Sequence, residues 1–363
     1  MAVTPRADKD GIISIAMCHC NSCRHVTGEL FVSYMPVRAV TDLDLSGTSR
    51  YTTADGWTRL FCPTCGCHVL RMQGSGELVE WEVATGVLTG PEVPASSHAD
   101  GILKARYKAH VRTPDTGDGG SSVWLADVGG HQMETLSGSH EDRDGATPPP
   151  EHPSGTLPAF CACGTVAFHI TRPDTTSLLP SSYLPDLTHA YCSTDPSIVA
   201  NSNDIKWWLR PDGKYLAGTC ACRSCRLVSG FEIQTWAFVP RSNIVIRVPS
   251  GESRIIVPLD FNTLPEGILK SYISSPDVVR EFCGKCGATV FWGGRLRPEL
   301  IDVSVGLLNG EGARAGAWLD WWTERVSFSE DAETGRRGPE ARRARELVSA
   351  LERGLKAWPQ RGH

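Results

Sequence analysis

Nowhere in the 363 residues does an apolar run approach the roughly 18 positions that a membrane-spanning helix requires. That absence removes a membrane role from the expectations. The stretch MAVTPRADKDGIISIA, Met1 to Ala16, carries charge at Arg6, Asp8, Lys9 and Asp10 and has no apolar core of signal-peptide length, which points to a cytoplasmic protein. Basic excess is missing as well. With 36 lysines and arginines against 41 aspartates and glutamates, the net charge of −5 argues against a nucleic-acid surface, because phosphate binding rests on clustered positive charge. Charged residues at 21% and apolar residues at 40% suit a soluble globular chain, and the length suits two domains.

Cysteine is what the chain has in quantity. Fourteen cysteines without a secretory signal point away from a disulfide framework and towards metal binding or catalysis, since cytosolic thiols stay reduced. The spacing agrees: the two members of a C-x-C pair lie on one face of an extended strand, so both sulfurs can meet one ion.

The cysteine motifs recur. MCHCNSCRHVTG from Met17 lies over TCACRSCRLVSG from Thr219 at an offset of 202, RLFCPTCGCHVL from Arg59 over REFCGKCGATVF from Arg280 at 221, and WEVATGVLTG from Trp81 over IDVSVGLLNG from Ile301 at 220. Three blocks in one order mean a duplicated domain, with 19 residues gained in a loop of the second copy. The Gly-, Pro- and Ser-rich stretch around Pro148-Pro149-Pro150 reads as a linker. The expected boundaries are a first domain over 1–128, a linker over 129–158, a second domain over 159–335 and a terminal segment over 336–363. Short β-branched runs such as Ile244 to Val248, bounded by turn residues, predict an all-β fold of mostly antiparallel strands in each copy. Leu347, Val348, Leu351 and Leu355 recur at helical spacing before Pro359, which predicts a C-terminal α-helix docked on its own domain.

In the second copy, Cys161 and Cys163 in FCACG and the knuckle Cys283-x-x-Cys286-Gly287 make two plus two sulfurs, a closed set suited to structural zinc. Cys220, Cys222 and Cys225 are only three. A three-ligand ion keeps its fourth position for water or substrate, and three thiolates favour a soft fourth ligand such as a thiol. The chemistry that fits is making or breaking a carbon–sulfur bond, with the captured thiol deprotonated near neutral pH.

The combination C-x-C-G, then C-x-C-x-x-C-R with a following Gly, then F-C-x-x-C-G resembles the glutathione-dependent formaldehyde-activating enzyme and centromere-protein-V family. The resemblance implies structural zinc on Cys161, Cys163, Cys283 and Cys286, and a catalytic ion on Cys220, Cys222 and Cys225. It implies two tandem zinc-pinned domains of twisted antiparallel sheets as the fold, and reversible addition of glutathione to formaldehyde, a carbon–sulfur lyase reaction, as the type activity. In the first copy Cys18, Cys20 and Cys23 match the catalytic trio and Cys62 with Cys65 the knuckle, but no C-x-C-G precedes Cys18. A shortened amino terminus, Cys67 as a third ligand, or loss of the structural metal would each account for this.

Arg24 and Arg226, directly after the third cysteine, are candidates to grip a substrate carboxylate, with a surface salt bridge as the alternative. His19 falls between two ligand positions and should face away from them, and His25 and His68 are treated alike. Cys192 lies outside every motif and reads as a buried small side chain. Trp207, Trp208, Trp318, Trp321 and Trp322 could line a pocket or form core, and Glu232 and Asp302 are acid–base candidates by position alone. Together these readings describe a carbon–sulfur lyase-like enzyme holding two or three zinc ions per chain, with a small thiol and an electrophile as partners. A non-catalytic zinc-binding scaffold and a C-x-x-C redox protein are the rivals.

Overall fold

A computed structural model of the chain describes residues 5–38, 44–75, 78–90, 104–136, 153–251 and 253–358. Strand Ile12–Cys18 shows how the sequence selects its local structure. Ile13, Ile15 and Met17 point inward at 1%, 0% and 0% exposure while alternate residues face out, the two-residue period of a pleated strand. This strand is central in an eight-stranded sheet ordered Glu134–Leu136, Lys104–Val111, Ile12–Cys18, Val32–Val37, Glu80–Ala84, His68–Gln73, Thr58–Phe61, Ser49–Thr52.

The second half repeats that order. Leu319–Trp321 flanks Lys214–Cys220, followed by Gln234–Pro240, Leu300–Ser304, Thr289–Gly294, Val278–Phe282 and Lys270–Ser275. The fold is mostly β, and a sheet in each half carries a parallel pair where antiparallel pairing alone was expected. Ile12–Cys18 runs parallel to Lys104–Val111, and Lys214–Cys220 to Leu319–Trp321, because the chain crosses back over the sheet to reach that edge.

One sheet has no counterpart in the described part of the first half. Leu157–Phe160, Ala167–Ile170, Ile244–Ser250 and Ser253–Pro258 form a four-stranded sheet, and its last two strands are the residues gained in the second copy. The insertion is thus a β-hairpin and not a loop: Ile244, Ile246 and Val248 alternate inward and lie against the inner strand Ala167–Ile170. The expected linker also narrows. Asp127–Val128 pairs with His131–Gln132 and Glu134–Leu136 joins the first sheet, while Leu157–Phe160 is already a strand of the second half. Pro148 to Pro150 lie outside the described residues.

The C-terminal helix, Gly338–Ala357, buries Leu347, Val348, Leu351 and Leu355 as its apolar spacing requires. It packs on the first half as well as its own: it lies against Lys104–Val111 and Asp127–Val128, Arg353 pairs with Asp127 at 2.9 Å, and within the second half Glu352 accepts from Val326 N at 3.0 Å. Trp358 meets Trp124 edge-on at 5.8 Å.

The halves join about a pseudo-twofold axis. After each cysteine-bearing helix, Asn21–Thr27 and Arg223–Ser229, the chain reverses at a left-handed glycine, Gly28 with φ of 83° and Gly230 with φ of 91°. Each glycine accepts a bond from the other half, Gly86 N to Gly230 O at 2.9 Å and Gly306 N to Gly28 O at 3.1 Å. There is no room for a side chain: a Cβ on Gly230 would lie 2.0 Å from His68 O, and one on Gly28 2.2 Å from Thr289 O. Replacing Gly230 with Ala combines backbone strain with this clash, and we expect a loss of on the order of 2–4 kcal/mol, read as a lower denaturant midpoint. An unchanged midpoint would show that the halves do not meet this way.

Candidate metal centres and the cavity beside them

The four-stranded sheet ends in the turn that carries Cys161 and Cys163, and strand Val278–Phe282 delivers Cys283 and Cys286 to the same place. The four sulfurs lie within 4.8 Å of one another, with Cys161 to Cys163 at 3.5 Å and Cys163 to Cys283 at 3.4 Å. A tetrahedral ion with bonds of about 2.3 Å sets its sulfurs about 3.8 Å apart, so a zinc ion fits this set with little adjustment. Cys161, Cys283 and Cys286 are fully buried, which makes the set closed.

Each three-cysteine cluster is built where a strand runs into a short helix. Cys220 ends Lys214–Cys220, Cys222 caps the helix by accepting from Cys225 N at 3.2 Å, and Cys225 lies in the first turn. Cys18, Cys20 and Cys23 repeat the arrangement, with Cys18 and Cys20 sulfurs 3.4 Å apart and Cys20 Sγ accepting from Cys23 N at 3.4 Å. In each trio the three sulfurs lie within 4.8 Å of one another, so they could hold a common ion. Hydrogen bonds from the Cys220 and Cys222 thiols hold the Cys225 thiol well below its ordinary range, and Arg280 adds to this. The Cys220 thiol is pushed well up by its hydrogen bonds to its two neighbours and by burial, and Cys222 rises to about 12, Cys225 and burial outweighing the lowering by Cys220.

Cys62 and Cys65 form the matching knuckle in the first half, but among the described residues no third ligand atom joins them. Cys67 is buried with its sulfur turned to His68 O at 3.6 Å, so the geometry does not recruit it. His19, His25 and His68 belong to no ligand cluster among the described residues. Burial lowers each of the three to about 3, and the neutral rings pair elsewhere: His19 with His110 at 2.9 Å, His25 with Phe160 O at 2.8 Å.

Arg24 and Arg226 do not face the clusters. Each crosses to the partner half, Arg24 Nη2 to Leu308 O at 2.9 Å and Arg226 Nη1 to Gly86 O at 2.5 Å, and serves the interface between halves. One residue along a helix turns the side chain by about 100°, which carries it off the cysteine face. The arginines at the sulfurs are others. Arg280 Nη1 and Nη2 both lie 3.5 Å from Cys225 Sγ, and Arg59 Nη2 lies 3.2 Å from Cys23 Sγ. Both stand three residues before their knuckle cysteine, at the first position of the repeated block RLFC and REFC, the signal from which sequence reasoning could have found them.

A cavity of about 130 Å³ opens on Cys220, Cys222 and Cys225. Trp236, Phe238 and Trp292 wall it, and a segment before strand Lys214–Cys220 roofs it with Tyr183, Leu187 and Tyr191. Asp186 anchors that roof: its carboxylate accepts from Phe328 N at 2.5 Å, Ser327 Oγ at 3.2 Å and Tyr191 N at 2.9 Å, and pairs with Arg325 at 3.0 Å. Asp302 lines the cavity, joined to Arg297 by two contacts of 2.8 Å. Burial pushes the Asp302 carboxyl up, and Arg297 pulls it partly back. Glu232 lies elsewhere, paired with Arg336 at 2.6 Å. Trp207 backs the wall through Phe238 at 4.9 Å, while Trp318 lies under Arg172 at 3.7 Å and Trp321 against Trp124 at 4.9 Å. Cys192 is exposed, its thiol on Glu330 at 3.0 Å, so the expectation of a buried side chain fails.

Two halves of one sheet order, each with a strand-to-helix trio of thiols, define a duplicated, mostly β protein whose cysteine clusters could hold metal. The family model for the glutathione-dependent formaldehyde-activating enzyme matches residues 2–99 and 209–325, more than half the chain, and the chain belongs to that family. No curated protein and no solved structure matches it. No helix among the described residues is long and apolar enough to cross a membrane.

With one thiol of the second trio held low and two pushed up, binding a metal there releases about two protons. Affinity should rise with pH and fall on the order of a hundredfold per unit as pH drops through neutrality. Chelator competition on a variant retaining only this trio checks the slope; a pH-independent affinity would contradict the thiol assignments.

Proposed function

We propose that the protein binds a small thiol, glutathione-like, at an open three-cysteine zinc and adds it reversibly to an electrophilic carbon such as that of an aldehyde. The observation that carries this reading is the pairing of a closed four-sulfur set with trios that supply three sulfurs only, one of which faces a cavity. Zinc, when bound there, would lower the pKa of a thiol in its fourth position and hold the sulfur as a nucleophile.

The chain's own groups do the rest. Arg280 steadies the Cys225 sulfur, Trp236, Phe238 and Trp292 exclude water, and the roof over Tyr183 and Tyr191 limits what enters. In the forward direction the sulfur–carbon bond forms, the carbonyl π bond breaks, and the thiol proton ends on the new hydroxyl. Asp302 is placed on the cavity wall to receive and return that proton, with Arg297 orienting its carboxylate. At about 130 Å³ the cavity is smaller than common ligand pockets, so it suits the thiol-bearing end of a larger molecule together with a small electrophile.

Replacing Cys222 with Ser should reduce thiol-adduct turnover by on the order of a hundredfold or more while the four-sulfur cluster keeps its metal. Turnover that persists in the zinc-loaded variant would rule out a catalytic role for this trio. Binding of metal without any adduct formation from thiols and simple aldehydes would leave a scaffold as the function.

A further inference from the structure

Leu187 is the part of the roof that meets the strand carrying Cys220. It is buried at 1% exposure and lines the cavity together with Gly218, which stands two positions before Cys220 in Lys214–Cys220. A Cβ on Gly218 would lie 2.3 and 2.7 Å from the two Leu187 methyl carbons, far inside the separation of about 3.5–4.0 Å at which carbons touch. Gly218 is not among the glycines with left-handed backbone, so space alone accounts for glycine at this position. The leucine occupies the room that a side chain there would take.

The first half has the same strand without this cover. Ala16 stands in the place of Gly218 at the offset of 202, and it pairs with Tyr34 as Gly218 pairs with Trp236. Ala16 is exposed and Cys18 half-buried, whereas Gly218 and Cys220 are both buried. The second trio is left with its approach on the side of Cys222, which is half-buried where Cys20 is buried. Leu187 is also held in place. Its neighbour Asp186 binds Phe328 N, Ser327 Oγ and Arg325, while Ser327 N donates to Thr219 O and Ala221 N donates to Ser327 O, both at 2.9 Å. The roof is therefore anchored to a segment that is itself bonded on either side of Cys220.

We infer that Leu187, seated on Gly218, is a size gate over the second trio, and that it restricts the electrophile there to small aldehydes without a bulky group on the carbonyl carbon. A fixed apolar wall excludes the larger molecule because overlap is repulsive and the anchored roof does not yield. Gly218 acts through Leu187 by making room for it. The aldehyde class rests on the proposed open-site chemistry; the gate itself does not, since it meets any molecule that approaches these cysteines.

The test treats the reduced full chain with N-methylmaleimide or the bulky N-(1-pyrenyl)maleimide and locates the labels by peptide mass spectrometry. Taking the bulky-to-small ratio at each cysteine cancels its intrinsic reactivity. Cys222 should disfavour the bulky reagent at least about tenfold more than Cys18 does. Leu187→Ala should bring the two cysteines within about threefold, Gly218→Ala should move the ratio the same way by forcing the leucine off the strand, and the volume-conserving Leu187→Met should leave it near the original. Equal ratios at Cys222 and Cys18 in the unaltered chain, which needs no substitution to fold, overturn the inference, as does an unmoved ratio in folded Leu187→Ala protein. In turnover, Leu187→Ala should raise kcat/KM for benzaldehyde relative to acetaldehyde by at least about tenfold. Turnover with that ratio unchanged overturns the restriction to small aldehydes. No turnover with any aldehyde removes the enzymatic reading, while the labelling still decides the gate.

Discussion

The close approach of two backbones at Gly28 and Gly230 is the constraint from which the rest of the architecture follows. Because each glycine accepts a hydrogen bond from the 3-10 turn of the other half, Thr85–Val87 or Val305–Leu307, both cysteine-bearing helices are clamped against the sister half. The arrangement is that of an isologous dimer written into one chain. It also decides what lies behind each cluster. Phe231 of the second half packs with Cys20 and Cys23 of the first, and Glu29 of the first half reaches Gln234 of the second at 2.7 Å. The environment of each trio is therefore composite, and a substitution in one half alters the site in the other.

On this symmetric frame the two halves have diverged in what they add. The second half carries the four-stranded sheet that completes the four-sulfur set and the roof that encloses its open trio. The strand Lys214–Cys220 registers the change, buried along nearly its whole length where Ile12–Cys18 alternates. The first half instead receives the C-terminal helix, so the chain's last described element ties the halves a second time. A roof fixed through Asp186 belongs to the second half, and with it the cavity over Cys220, Cys222 and Cys225.

Metal-ligand spacing is local, and for that reason the trios, the knuckles and the duplication were legible in the sequence. Cys220, Cys222 and Cys225 need only a strand end and one helical turn to converge. Arg24 and Arg226 follow the third cysteine in sequence yet turn away from it, because adjacency along a helix is not adjacency in space, and Arg59 and Arg280 reach the sulfurs from another block of the repeat. The hairpin Ile244–Pro258 carries alternating apolar residues, yet its role as a sheet partner depended on Ala167–Ile170, far away in sequence. Cys192 had no motif, and nothing local distinguishes an exposed thiol from a buried one.

The knuckle of the first half shows how much of a metal site survives without its full ligand set. Its turn closes with Cys62 N to Cys67 O and Gly66 N to Cys62 O, both at 2.9 Å, matching Cys283 N to Ala288 O and Gly287 N to Cys283 O at 2.9 Å. Gly66 then packs on Phe282 and Gly287 on Phe61, so each knuckle is held by the sister half as well as by its own sulfurs. Metal binding contributes folding energy that an isolated small domain cannot do without. A domain already docked on its duplicate has packing energy in its place, which accounts for the knuckle backbone around Cys62 and Cys65 although among the described residues only two sulfurs meet there.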